Sequence, residues 1–247
     1  MLSGFLAIIG GLTTGCDVWH PPPPTPEELD RGLVVMYPGT TNTCTEMIGF
    51  YTGLRDANVD QAIEVVPWGL ANEPTWAHEE FWSKFPTWAE NEAARLAAYK
   101  SAHPGAPVTL LGWSAGAMTA IQVTEHVPDG VEVDSVILLS PGVSPDYDLT
   151  RMLEKVSGRA VVYWSPKENN LGLLLLKLVG TVDGNFDEAV SFAGFRGSYD
   201  RRKFAEVPWQ PEMASLGNNG DHLDYFLAIP WIREYVAAWV APPLGAP

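Results

Sequence analysis

The hydrophobic pattern of the chain switches repeatedly between continuous apolar runs and amphipathic stretches. Five runs of six to eight residues are almost wholly apolar. Runs of this length without alternation are typical of strands that are buried on both faces of a parallel sheet. The predicted strands are Gly32–Tyr37, Ala62–Pro67, Val108–Trp113, Val133–Ser140 and Arg159–Trp164.

The amphipathic stretches between these runs predict helices. Thr43-x-x-Glu46 and Thr87-x-x-Glu90 are capping boxes, which mark helix starts. Because strands and helices alternate, we expect an α/β fold: a mainly parallel sheet with helices on both faces. The predicted helices run from Thr43 through Leu54, from Thr87 to about Ala102, from Ala115 to His126, and from Leu223 to Val240 with an interruption at Pro230.

The first 31 residues differ from the rest of the chain. A short apolar run, Phe5–Leu12, leads through small residues to Cys16, as in the leader of a lipoprotein. Five prolines between positions 21 and 26 then predict a stiff, extended spacer. We therefore expect a leader over 1–16, a Pro-rich spacer over 17–31 and the α/β domain over 32–247.

The leader also predicts a location. With Cys16 lipidated, the protein would be tethered to the membrane at the cell envelope. The apolar run is too short to cross a bilayer as a helix. The alternative is a cytoplasmic protein in which the same residues form an ordinary buried N-terminal segment.

Composition narrows the classes of function. The 247 residues are 46% hydrophobic and 18% charged, which is typical of a folded domain with a large core. The net charge of −15 opposes binding to nucleic acid. Two cysteines and five scattered histidines form no metal-ligand pattern, so we expect neither a metal nor a cofactor.

One motif carries the chemistry. Gly112-Trp113-Ser114-Ala115-Gly116 is a G-x-S-x-G sequence that directly follows a predicted buried strand and opens a helix of small residues. This strand–turn–helix context is that of a nucleophile elbow, in which a sharp turn exposes the serine hydroxyl above the sheet. The sequence therefore predicts Ser114 as a nucleophile.

A nucleophilic serine needs a base, and in a protein with this elbow the order along the chain is serine, acid, histidine. Two histidines follow Ser114. His126 ends the helix that Ser114 starts, which points it away from the site. His222 lies in a polar loop, Gly217–His222, before the last helix, and is the predicted base.

Three carboxylates are candidates for the acid. Glu168 follows the strand Arg159–Trp164, the last clear strand before His222, and is preferred. Asp146 occupies the equivalent loop one strand earlier, and Asp183 lies beyond both. Each carboxylate that is not used is expected to cap a loop.

The oxyanion hole is expected to combine two backbone N–H groups. One is that of Ala115, directly after the nucleophile, and the other comes from the loop after the first strand. In that loop Gly39 permits a close approach of the backbone, and Thr40 is the predicted donor.

Together these residues resemble the α/β-hydrolase superfamily, in particular its serine esterases and lipases. The resemblance covers about Gly32 to Val240, with elbow, Glu168 and His222 in the expected order. It is to members of the superfamily that have an N-terminal leader, and it implies that the α/β-hydrolase fold carries no large cap domain. Two departures are Tyr37-Pro38-Gly39 in place of a His-Gly start to the oxyanion loop, and Glu in place of the commoner Asp.

The resemblance implies a serine hydrolase that cleaves an ester-type bond of a small ester or acyl substrate through an acyl-enzyme intermediate. Thioesters, amides and acyl transfer to an alcohol use the same groups. The alternative is a catalytically silent protein of the same fold that binds a ligand or partner at the cell envelope. The intact serine–acid–histidine order argues against it, because a silent relative usually loses one member.

An apolar segment follows the predicted acid. Leu171–Val179 is more apolar than a loop requires. It is expected either to cover the substrate pocket, which would favour an acyl chain, or to pack on the sheet as an ordinary buried helix.

Overall fold

A computed structural model describes residues 19–68, 79–168, 176–177 and 180–242, with 79–84 described as backbone alone. The predicted leader with Cys16 lies outside these ranges. The apolar segment 171–179 also lies outside them, apart from residues 176–177.

Six parallel strands form one sheet with the order β2-β1-β3-β4-β5-β6. The register pairs Tyr37 with Gly112, Trp113 with Leu139, and Leu139 with Tyr163. The carboxyl ends of β1, β3, β4 and β5 therefore meet at one edge, the usual place for a site in an open parallel sheet. The strands are β1 Leu33–Tyr37, β2 Ala62–Val65, β3 Val108–Trp113, β4 Val133–Leu139, β5 Val156–Trp164 and β6 Phe204–Pro208.

Helices cover both faces of the sheet, as the sequence predicts. Alternate residues of β1 divide between two cores, with Val35 in one and Val34 and Met36 in the other. This period of two explains the continuous apolar runs, since both sets of side chains are buried. The helices are α1 Pro26–Arg31, α2 Ile48–Asp56, α3 Glu79–Ala102, α4 Gly116–His126, α5 Thr150–Glu154, α6 Val190–Ala193, α7 Asp224–Leu227 and α8 Ile229–Trp231, with 3₁₀ turns at Cys44–Met47, Pro211–Leu216 and Ala237–Trp239 and a π turn at Ile232–Val236.

Each core is built from particular helices. Ala89 and Ala93 of α3 and Ile121 of α4 pack on one face of the sheet. Phe50 and Leu54 of α2 pack with residues of the C-terminal segment on the other face. Small side chains on α3 and α4 let these helices lie close to the strands that end at the elbow.

Three predicted boundaries are wrong. The second capping box does not start a helix, because α3 begins at Glu79 and contains Pro86 and Thr87. The prediction failed because a Thr-x-x-Glu spacing can also lie inside a helix, and here the helix continues through Pro86 and forgoes one backbone hydrogen bond. Strand β5 begins at Val156, three residues before the predicted start. The last predicted helix is divided into short α, π and 3₁₀ pieces over 224–239, with Pro230 in the first turn of α8.

Strand β6 was not predicted. Phe204–Pro208 lies at the edge of the sheet, and only Phe204 is buried. An edge strand carries no continuous apolar run, and its closing proline is tolerated because the ladder ends there. The sequence pattern that identifies the buried strands is therefore missing.

The end of the predicted spacer is helical. Thr25 and Glu28 form a capping box around α1, with Pro26 in its first turn. Glu28 pairs with Arg55 of α2 at 2.8 Å, and the Tyr99 hydroxyl donates to the Leu29 carbonyl at 2.6 Å. Residues 25–31 thus pack against the domain and do not continue the extended proline run.

Within the described ranges, the strands are joined by helices and loops without an inserted domain. None of the helices in these ranges has the length and apolar character that crossing a bilayer requires.

Candidate active site

Ser114 occupies a strained turn between β3 and α4. Its φ of 55° lies in the left-handed region that a side chain other than glycine rarely adopts. The Ser114 N–H donates to the Leu139 carbonyl at 2.9 Å, and its own carbonyl accepts from Gly142 at 3.0 Å. These bonds to the end of β4 hold the turn in its conformation, as expected of a strained functional residue.

The two glycines of the motif permit the turn. A Cβ on Gly112 would overlap the Gly116 carbonyl and the Ala117 backbone. A Cβ on Gly116 would overlap the carbonyls of Tyr37 and Pro38, at the start of the loop after β1. The helix can therefore approach both its own strand and that loop only because these positions lack side chains.

His222 joins Ser114 to a carboxylate. Its Nε2 lies 3.0 Å from Ser114 Oγ, and its Nδ1 contacts Glu168 Oε1. Since a carboxylate only accepts hydrogen bonds, the contact with Glu168 assigns the proton to Nδ1 and leaves Nε2 as the acceptor for the serine hydroxyl. The geometry is that of a nucleophile, a base and an orienting carboxylate in series.

Local structure fixes both loops that carry these groups. The Asp224 carboxylate accepts the N–H of Asn219 at 2.8 Å and of Asp221 at 3.3 Å, which orders the chain just before His222. Gly220 has φ 97°, and a Cβ on it would lie 2.6 Å from the Ser165 hydroxyl. The histidine loop therefore packs directly on the loop after β5 that ends at Glu168.

Ser140 is a fourth polar group at this site, which the sequence analysis did not identify. Its hydroxyl donates to Glu168 Oε2 at 3.0 Å and lies 2.8 Å from His222 Nδ1. Ser140 ends the strand run of β4 with φ 45° and is fully buried. The sequence does not predict the positive φ of Ser140, because no neighbouring residue in the chain requires that backbone conformation.

Burial makes these bonds necessary. The side chain of Glu168 is 0% exposed, and that of His222 is 8% exposed. A carboxylate removed from water to this extent is stabilised only if both oxygens have partners. Glu168 has one partner for each oxygen, namely His222 for Oε1 and Ser140 for Oε2.

The other two carboxylate candidates lie elsewhere. Asp146 is 64% exposed and pairs with Arg196 at 2.7 Å. Asp183 Oδ1 accepts the Ser144 N–H at 2.9 Å, so it caps a loop. Neither has a hydrogen bond to His222 within the described part of the chain.

The groups predicted for the oxyanion hole face the elbow from two sides. The loop 38–43, here called the β1 loop, contains Gly39 and Thr40 and abuts Gly116 through its first residues. In the part of the chain that the structure describes, no acceptor is bonded to the N–H of Thr40 or of Ala115. The Ala115 N–H, directly after Ser114, and the Thr40 N–H, in the loop whose first residues contact Gly116, are thus open to accept an oxyanion as a partner.

Among the residues described here, no three His, Cys, Asp or Glu side chains are grouped as a metal site would require.

The chain is similar to a known family and to solved structures. The family model described as serine aminopeptidase, S33, matches residues 31–178. A lipase-esterase related protein from Clostridium acetobutylicum has a TM-score of 0.51 at 10% identity, covering 85% of this chain and 95% of that one. Aspergillus fumigatus lipase B has a TM-score of 0.51 at 15% identity, covering 86% of this chain and 53% of that one. No curated protein matches the chain. The likeness to the solved structures concerns the fold, which is the α/β-hydrolase fold.

The contacts of Ser140 generate a prediction. Ser140→Ala removes a hydrogen bond to a buried carboxylate, and we expect kcat for a p-nitrophenyl ester to fall about tenfold, which corresponds to about 1.4 kcal/mol. Ser135→Ala is a matched control, since Ser135 lies at the opposite end of β4 and donates to the Trp239 carbonyl at 2.6 Å. An unchanged kcat in the Ser140 variant, or an equal loss in the control, would contradict the role given to Ser140.

Proposed function

This chain belongs to the serine aminopeptidase S33 family and is a hydrolase with the α/β-hydrolase fold, and from this premise we propose that it cleaves an ester-type bond through an acyl-enzyme intermediate. Ser114 is the proposed nucleophile, His222 the base and Glu168 the acid. The single observation that carries the proposal is the contact of His222 with Ser114 Oγ through Nε2 and with Glu168 through Nδ1.

The proposed reaction has two steps. His222 Nε2 takes the proton of Ser114 as Oγ attacks the carbonyl carbon, and then gives it to the leaving alcohol as the tetrahedral intermediate collapses to the acyl-enzyme. In the second step His222 takes a proton from water, which attacks the acyl carbonyl, and returns it to Ser114. Glu168 keeps Nδ1 protonated and stabilises the imidazolium in both steps.

The negative charge that develops on the carbonyl oxygen requires donors. The N–H of Ala115 and a N–H of the β1 loop, at Gly39 or Thr40, are proposed as the oxyanion hole. The Ala115 N–H also stands at the N-terminal end of α4, where the helix dipole favours negative charge.

The proposed substrate is a small-molecule ester or acyl compound. The family is named after an aminopeptidase, an enzyme that cleaves an amide bond. The same groups can cleave an amide if His222 protonates the leaving amine. We place esters first because an alkoxide is a better leaving group than an amide anion, so that cleavage of an ester depends less on protonation of the leaving group by His222. Parallel assays with a p-nitrophenyl ester and an aminoacyl p-nitroanilide distinguish the two classes.

The competing function is a catalytically silent protein that binds a ligand or partner at the cell envelope. Against it stands the hydrogen-bonded series from Ser114 to Glu168, which a binding function does not need.

Labelling with a fluorophosphonate tests the nucleophile without knowledge of the substrate. We expect the wild-type chain to be labelled and to hydrolyse p-nitrophenyl esters, and Ser114→Ala to lose both because it lacks the attacking oxygen. Ser144→Ala, a change at another buried serine near the elbow, is expected to keep the labelling. Full labelling of the Ser114 variant would remove Ser114 as the nucleophile.

A second pair of variants tests the acid. Glu168→Gln keeps the shape but removes the countercharge and disturbs the imidazole tautomer, so kcat is expected to fall about 10²–10⁴-fold. Asp146→Asn is the control and is expected to change kcat less than twofold, since Asp146 is exposed and bonded to Arg196. A large loss in the Asp146 variant with none in the Glu168 variant would reverse the assignment.

We further propose that Cys16, if lipidated, tethers the domain to the membrane of the cell envelope, on the sequence pattern of residues 5–16. In its native cell the protein is then expected in the membrane fraction, incorporating a labelled fatty acid that Cys16→Ser does not incorporate. Recovery of an unprocessed, unlabelled chain in the soluble fraction would favour the cytoplasmic alternative.

A further inference from the structure

Glu46 is a carboxyl group close to the proposed site that takes no part in the chemistry. It belongs to the 3₁₀ turn Cys44–Met47, directly after the β1 loop. Its Oε1 accepts the Thr41 hydroxyl at 2.6 Å and the Thr43 N–H at 3.2 Å. Both donors belong to the loop that contains Gly39 and Thr40, so one oxygen atom holds two points of that loop.

The second oxygen of Glu46 lies beside Gly39. A Cβ on Gly39 would lie 3.2 Å from Glu46 Oε2 and 3.0 Å from ring carbons of Trp113. The carboxyl group and the indole ring therefore both border the space that a side chain at position 39 would occupy. The same indole ring lies 5.3 Å from the imidazole of His222, centroid to centroid. Glu46 thus contacts the loop beside the reacting groups.

Other hydrogen bonds of the β1 loop involve Trp68 and Asn42. The Trp68 N–H donates to Asn42 Oδ1 at 2.8 Å, and the indole N–H of Trp68 donates to the Pro38 carbonyl at 2.7 Å. These bonds hold the two ends of the loop. The Asn42 N–H donates to the Gly39 carbonyl at 3.1 Å, which closes a turn over residues 40 and 41, and Glu46 anchors that turn through the Thr41 hydroxyl.

Near neutral pH the side chain of Glu46 is close to the midpoint between its protonated and ionised forms. Burial raises the pKa of Glu46 to about 7, although the donors at Thr41, Asn42 and Thr43 and the charge of protonated His222 act to lower it. At neutral pH the neutral acid is therefore populated as well as the carboxylate. A neutral amide of the same shape is then compatible with this position, which makes glutamine an informative substitution.

We propose that Glu46 is a positioning residue that fixes the β1 loop so that the N–H of Thr40 points at the developing oxyanion. The inference rests on the proposed function, because it assigns to Glu46 the support of one oxyanion donor. Glu46 acts through acceptance of hydrogen bonds, and loss of the acceptor releases the middle of the loop while Ser114, His222 and Glu168 stay in place.

The test compares two substitutions. Glu46→Ala removes the acceptor, and we expect kcat for a p-nitrophenyl ester to fall about 10- to 100-fold with KM changed less than about threefold, since removal of an oxyanion donor itself costs about 10²–10³ in kcat. Glu46→Gln keeps an oxygen for Thr41 and Thr43 and is expected to retain kcat within about threefold of wild type. Thr41→Val, which removes one donor, is expected to lie between them.

Glu125→Ala is the matched control. Glu125 is also a buried glutamate that accepts a hydroxyl, that of Tyr147 at 3.0 Å, and burial raises its pKa. It lies at the far end of α4. We expect this variant to lose thermal stability while kcat stays within twofold of wild type, which separates positioning from general destabilisation.

The outcomes separate this inference from the proposed function. Absence of fluorophosphonate labelling in the wild-type chain would overturn the proposed function. With the wild type labelled at Ser114, a wild-type kcat in Glu46→Ala, or equal losses in Glu46→Ala and Glu46→Gln, would overturn the role of Glu46. If Glu46→Ala does not fold, Thr41→Val decides: a wild-type kcat in that variant overturns the role, and a reduced kcat with unchanged KM supports it.

Discussion

The close approach of α4 to the ends of β1 and β3 is the constraint on which the site depends. Gly112 and Gly116 allow that approach, because a side chain at either position would overlap backbone atoms. The same approach gives Ser114 its φ of 55° and leaves the Ala115 N–H at the helix start. Gly116 also contacts the start of the β1 loop, so this packing contact links the position of the proposed nucleophile to that of the loop with the second proposed oxyanion donor.

The burial of Glu168 is the second constraint, and it supports Glu168 as the proposed acid over the other two candidates. A carboxylate with no exposed surface destabilises a protein by several kcal/mol unless each oxygen is bonded. Ser140 and His222 meet that demand for Glu168. Asp146 is solvated and paired with Arg196, so it has no comparable need of a partner in the site. Because buried Glu168 needs His222 as a partner, their hydrogen bond fixes the orientation of the imidazole ring.

The sequence predicts those features that depend on local pattern. Strands β1, β3 and β4 follow from continuous apolar runs, and the elbow follows from two glycines around a serine at a strand end. Strand β6 does not follow, since an edge strand buries one side chain of five. Ser140 was missed for a different reason: its role arises from loops 28 and 82 residues away in the chain, which no local pattern reports.

Glu46 makes one contact that the sequence predicts and another that only the tertiary structure reveals. Its capping box with Thr43 is visible in the sequence and is present in the structure, although the turn that it opens is 3₁₀. The second consequence of the same carboxyl group, contact with Gly39 beside Trp113, requires β1 and β3 to be neighbours in the sheet. A residue that reads as a helix cap can therefore also support a reacting group, because the loop that it caps follows a strand ending at the elbow. In a parallel sheet the functional loops meet at the carboxyl edge. Residues that cap those loops therefore lie close to the reacting groups.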